Sequence, residues 1–167
     1  MREDLFGDDP DILLVEFFDY RCGYCAQSAS HMQTLPHHLT ERVRLIEFPI
    51  LGQESNDIAK VSIAVRNVEG DAAYRRFHYA VFDAAGRIDG TESALRLVES
   101  LGLDAEAVAD EAQSSEVAAQ ILHNQRLAST LGIRDTPTFV GRDQIHDGLL
   151  NPEELVEILD TEKDEAR

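Results

Sequence analysis

Apolar residues run unbroken through Ile12-Leu13-Leu14-Val15 and resume at Phe17-Phe18, with Glu16 the single polar interruption. A run this short, flanked by polar residues, predicts a buried strand over 12–18. A helix is predicted from Cys22 to about Leu35, where Pro36 bends or ends it. Val43-Arg44-Leu45-Ile46-Glu47-Phe48 alternates apolar and polar, the period of a strand, and Pro49 closes it. Strand, helix and strand at this spacing form a βαβ unit with parallel pairing. The period then becomes helical through Ile58, Val61, Val65 and Val68, through Tyr74, Phe77 and Val81, and through Ala94, Val98 and Leu101, with a stop at Gly102. A short helix over about 105–112 precedes a longer one from about 115, whose Val117, Ile121, Ala128 and Leu131 share a face and whose end is marked by Gly132. Thr138-Phe139-Val140 and Gln144-Ile145-His146 flank a turn at 141–143 and predict a hairpin. The last helix has Asn151 as N-cap, Pro152 at N1, Glu154 completing a capping box, and an apolar face of Leu155, Ile158 and Leu159. The order is β-α-β, a helical insertion over about 54–115, then α-β-β-α. That predicts an α/β fold, a single sheet–helix domain over 11–160, with residues 1–10 a loose leader and 161–167 a frayed tail.

Length and charge narrow the function. The chain has 167 residues, enough for one domain with an insertion, and 43% of them are hydrophobic, enough for a sizeable core. A net charge of −17 argues against nucleic acid and anionic membrane surfaces as partners, since phosphate contacts need clustered Lys and Arg. No apolar run reaches the roughly 18–20 residues of a membrane span. Met1-Arg2-Glu3-Asp4-Leu5 leads into acidic residues without a signal-peptide pattern, so the chain reads either as cytosolic or as the mature part of an exported protein.

The candidate chemistry centres on Cys22-Gly23-Tyr24-Cys25, which holds both cysteines of the chain. Two thiols at this spacing can close a disulfide within one helical turn, and a helix N-terminus favours the thiolate of the first. Cys22 is therefore the candidate nucleophile and Cys25 the candidate resolving thiol. Gly23 and Tyr24 set the local backbone freedom and exposure. An inert bridge across so short a loop would restrict the unfolded chain little, and a structural zinc site would need further Cys or His ligands that the scattered histidines do not supply. Glu16, sharing a strand face with Leu14 and Phe18, has two readings. One is a buried acid, its proton affinity raised, that relays a proton to Cys25; the other is an acid paired with a base or turned to solvent. Pro137 before a strand fits the strand's start, and Thr136 would then pair with an extended substrate; alone, the residues favour a trans bond. Phe18, Tyr20, Phe77 and Phe82 read as packing residues, and His31, His78, His123 and His146 as surface or satisfied core groups.

These features together resemble the DsbA-like thiol–disulfide oxidoreductases of the thioredoxin superfamily. The matching stretches are Val15–Cys25, Phe48-Pro49-Ile50-Leu51-Gly52-Gln53-Glu54-Ser55 and Gly132-Ile133-Arg134-Asp135-Thr136-Pro137-Thr138-Phe139-Val140, and the likeness extends from about residue 10 to 160. The flavour is that of the bacterial envelope branch that includes ScsC-like proteins. The resemblance implies a thioredoxin fold with the helical insertion between the second strand and a cis-proline strand. It implies Cys22, Cys25 and Glu16 as catalytic residues, Gly23, Tyr24, Thr136 and Pro137 as substrate-binding residues, and a cis bond at Pro137. It further implies a periplasmic protein thiol–disulfide oxidoreductase, most simply a dithiol oxidase. Isomerase or reductase activity, or Cu(I) binding, is the alternative. The expected partners are thiol-bearing or unfolded proteins and a membrane or soluble redox partner. No metal or cofactor beyond the Cys22–Cys25 disulfide is expected.

Overall fold

The computed structural model describes residues 1–160; the tail expected to fray over 161–167 lies outside the described residues. In chain order the elements are α1 (Arg2–Phe6), β1 (Leu14–Phe18), α2 (Gly23–Gln33), α3 (His37–Thr40), β2 (Val43–Glu47), α4 (Gln53–Glu69), α5 (Asp71–Asp83), α6 (Thr91–Ser100), α7 (Ala105–Ala112), α8 (Ser115–Thr130), β3 (Thr138–Val140), β4 (Ile145–Asp147) and α9 (Pro152–Asp160). The strands form one sheet in the order β2-β1-β3-β4. β1 pairs parallel with β2 (Glu16 opposite Leu45) and antiparallel with β3 (Glu16 opposite Phe139), and β3 pairs antiparallel with β4. This is a thioredoxin fold with four helices, α4 to α7, between β2 and α8. No helix among the described residues is long and apolar enough to cross a membrane.

β1 is buried along its whole length because both of its faces are covered. Leu14 and Phe18 point into the larger core with α2, α9 and the insertion, joined there by Val61, Tyr74, Phe77, Val98 and Leu155. Val15 and Phe17 point the other way, against Leu127 and Ala128 of α8 and Leu5 of α1. This explains why the run is nearly continuous rather than alternating. Each fully buried Phe or Leu stabilises the fold by about 1.5–3 kcal/mol relative to exposure. The face shared by Leu14, Glu16 and Phe18 is the one that also receives Cys25.

Local signals set the ends of the helices that flank the site. Gly132, at φ +72°, ends α8 in a Schellman motif: the Ile133 amide donates to the Ala128 carbonyl at 2.8 Å. Ile133 is buried, and the chain turns directly into the Thr136–Pro137 loop. At α9 the capping box is complete, with the Asn151 amide on Glu154 Oε2 at 2.9 Å and the Glu154 amide on Asn151 Oδ1 at 2.8 Å.

The leader differs from expectation. Residues 2–6 form α1, Leu5 is only 5% exposed, and Arg44 Nη1 donates to the Asp4 and Leu5 carbonyls at 3.2 and 2.9 Å. Two adjacent apolar residues, Leu5 and Phe6, among acidic ones are too weak a periodic signal to read, and the partners of Leu5 lie on β1, β2 and α8. The short helix α3 likewise follows Pro36, which starts it after ending α2. Leu5→Ala should therefore lower stability by about 2 kcal/mol in denaturant unfolding; a change below about 0.5 kcal/mol would place α1 outside the core.

Candidate active site

Cys22 is the N-cap of α2, with φ −86° and ψ 122°. Its Sγ accepts the Cys25 amide at 3.4 Å, the same bond a Ser or Asp side chain makes in that position, and in its protonated form donates to the Thr136 carbonyl at 3.4 Å. Cys22 is half-buried; Cys25, one turn inward, is 1% exposed. Gly23 and Tyr24 lie at the surface, Tyr24 with 64% of its area in solvent. The Thr136–Pro137 bond is cis, and the buried Pro137 carbonyl accepts the Gly148 amide at 2.9 Å, which fixes the loop to the segment after β4. The structure thus brings Cys22, Cys25 and Thr136 into contact, with Gly23 and Tyr24 on the outer rim and Pro137 behind them.

The two thiols are electrostatically unlike. The Cys22 thiol is drawn down to about 6, first by the hydrogen bond from the Cys25 thiol and then by the Thr136 hydroxyl and the Cys25 and Tyr24 amides, against partial burial. Burial, then the Cys22 sulfur and the Glu16 carboxylate, hold the Cys25 thiol far above the ordinary thiol range. At neutral pH the outer sulfur favours the thiolate and the inner one keeps its proton. A thiolate at a helix N-terminus is the nucleophile in thiol–disulfide exchange.

Glu16 is 3% exposed on the face of β1 under α2. Burial lifts its carboxyl to about 7; Ser28, one turn beyond Cys25, draws it down and the Cys22 charge raises it further. The Ser28 hydroxyl is fully buried and in no hydrogen bond of good geometry. The structure buries Glu16 rather than turning it to solvent.

Three neighbours were not legible as site residues. Asp19, Arg21 and Ser28 have ordinary loop or helix patterns, and Asp19 and Arg21 find partners distant in sequence. The Tyr20 hydroxyl meets His78 Nδ1 at 3.1 Å. Burial pushes His78 down to about 3, so the ring stays neutral and is a satisfied core group. Tyr20 also lines a cavity of about 290 Å³ beside Cys22, together with Ala26, Val81, Phe82 and Ile88. A larger cavity of about 540 Å³, between the β3–β4 hairpin and α9, contains neither cysteine.

A family model described as a DSBA-like thioredoxin domain matches residues 13–160. Among solved structures, the chain is similar to a thioredoxin-like oxidoreductase from Silicibacter pomeroyi DSS-3, at 30% identity over 98% of each chain with a TM-score of 0.79. It is also similar to the thiol-disulfide exchange protein alpha-DsbA2 from Wolbachia pipientis, at 24% identity over 99% of this chain and 91% of that one, with a TM-score of 0.80. The catalytic domain of Proteus mirabilis ScsC aligns at 21% identity over 96% and 93%, with a TM-score of 0.77. No curated protein shows a significant match.

The raised Glu16 carboxyl has a consequence for stability. It binds its proton more tightly folded than unfolded, so the cost of ionising it is absent below about pH 4.5 and complete above about pH 7. Glu16→Gln should stabilise the reduced protein by about 1–3 kcal/mol at pH 8 and hardly at all near pH 4. Denaturant unfolding at both pH values checks this; an equal effect at both would mean that Glu16 is ionised normally.

Proposed function

The chain belongs to the DsbA-like thioredoxin family and is a thiol–disulfide oxidoreductase, and we propose that its direction is dithiol oxidation of protein substrates. The observation that carries this reading is the place of Cys22 at the N-cap of α2, where its Sγ accepts the Cys25 amide at 3.4 Å and its proton affinity is drawn down. Stabilising a thiolate stabilises the reduced form, and a couple whose reduced form is stabilised is an oxidant.

In the proposed cycle a substrate thiolate attacks Cys22 Sγ of the Cys22–Cys25 disulfide. The S–S bond breaks, its electron pair goes to Cys25, and a mixed disulfide joins substrate to Cys22. Cys25 leaves as a thiolate in a buried site and needs a proton. Glu16, its carboxyl near neutral, supplies that proton and regains one later. A second substrate thiolate then attacks its own mixed-disulfide sulfur and displaces Cys22 as a thiolate, the better leaving group for its low proton affinity. Two electrons pass from substrate to enzyme, and a redox partner must remove them.

The Thr136 main chain beside Cys22 suits an extended peptide pairing in β-augmentation, with Pro137 fixing the loop and Gly23 and Tyr24 facing the peptide. Unfolded chains offer such segments, so thiol-bearing, incompletely folded proteins are the substrates of this reading. The periplasm suits an oxidant of this kind, and one structure sharing the fold is a periplasmic thioredoxin-like protein from Salmonella enterica serovar Typhimurium. Cu(I) chelation needs both sulfurs ionised, which the buried, protonated Cys25 opposes.

Equilibration with glutathione buffers tests the direction: the oxidase reading expects a potential between about −120 and −200 mV, and a value near −270 mV would instead make the protein a reductase. Cys25→Ser should accumulate mixed disulfides with disulfide-bearing substrates, and Cys22→Ser should abolish exchange. Failure of Cys25→Ser to capture any partner would reverse the assigned roles.

A further inference from the structure

Asp19 lies between β1 and the cysteines and is 1% exposed. Its carboxylate accepts four hydrogen bonds. Oδ1 takes the Arg21 amide at 2.7 Å and the Ser55 hydroxyl at 2.7 Å. Oδ2 takes the Ile50 amide at 2.8 Å and the Leu51 amide at 3.0 Å. The acceptor capacity of a carboxylate, about four sites, is filled. The donors come from three segments: the turn carrying Cys22, the loop after β2, and the first turn of α4. The main chain of Asp19 acts on the same turn, since its carbonyl accepts the Cys22 amide at 3.2 Å. Around it, Arg21 bridges outward to Glu54 at 3.2 Å and to the Gly86 and Ile88 carbonyls at 2.9 and 3.1 Å.

We propose that Asp19 is a positioning residue for disulfide exchange, binding the Cys22 turn to the Ile50–Leu51 loop and to α4 so that both sulfurs keep the placement the reaction needs. The inference rests on the exchange chemistry proposed for Cys22. Ile50 and Leu51 are partly exposed apolar residues, so the same carboxylate that places the sulfur also holds an apolar edge of the surface around it.

Charge and placement act in opposite directions here, which makes the proposal separable from a general electrostatic effect. Removing a negative charge three residues from Cys22 favours its thiolate and lowers its ionisation midpoint. Loosening the turn weakens the Cys25 donors on the Cys22 sulfur and raises that midpoint. Asn at position 19 keeps an acceptor for Ile50 and Leu51 but turns an NH2 group towards the Arg21 amide, donor against donor.

The test is the rate of Cys22 alkylation by iodoacetamide over about pH 4 to 9 in reduced wild type, Asp19→Asn and Ser55→Ala, with melting curves on each. Placement predicts a higher midpoint in Asp19→Asn, with alkylation at about pH 6 slowed at least threefold relative to its own high-pH plateau. Ser55→Ala keeps the Asp19 charge and loses one donor, so its midpoint should rise by less; it carries the test if Asp19→Asn does not fold. A midpoint that falls or stays fixed while only the melting temperature drops overturns the proposal. A wild type whose Cys22 ionises at the ordinary thiol pH contradicts the exchange reading itself, a failure visible before either variant is compared.

Discussion

The capping of the Cys22 sulfur by the start of α2 orders the chemistry of this protein. The Cys25 amide donates to Cys22 Sγ at 3.4 Å, and the neighbouring buried Cys25 thiol further lowers the proton affinity of that sulfur. Because one thiol is sealed in the core and the other caps a helix, the pair divides its proton unequally. In the proposed cycle the outer sulfur is the nucleophile and the leaving group, and the inner one reacts only when a proton is moved. Both properties follow from where α2 starts relative to β1.

The rest of the fold serves that placement. β1 is covered on both faces, so it is a rigid base from which the chain steps directly to Cys22. The insertion supplies the wall behind Phe18 and Tyr20, through Phe77, His78 and Phe82. α8, ended by its Schellman turn, delivers Thr136 to the opposite side of the sulfur. Burying Glu16 beneath α2 costs stability at neutral pH, and the proposed cycle uses that titratable group.

Much of this was legible in the chain because the signals are local. The near-continuous apolar run marked β1, the CxxC spacing marked the thiols, the Asn151–Glu154 box marked the start of α9, and Gly132 marked the end of α8. Glu16 stood out as a lone acid in an apolar strand, though only the fold shows α2 covering it. The cis bond at Pro137 came from family resemblance, since the local residues favour trans. Leu5, Asp19, Ser28 and the Tyr20–His78 pair were hidden for one reason. Their meaning lies in partners from other elements, such as Leu127 on α8 for Leu5 and His78, 58 residues on, for Tyr20, and no periodicity encodes such pairings.

The central claim, that the two sulfurs differ in proton affinity, is tested most directly by following the Cβ carbon shifts of both cysteines by NMR in reduced, cysteine-labelled protein across a pH titration. The Cys22 signal should move with a midpoint near 6 while the Cys25 signal stays that of a thiol through neutral pH. Two signals that move together in the ordinary thiol range would contradict the account.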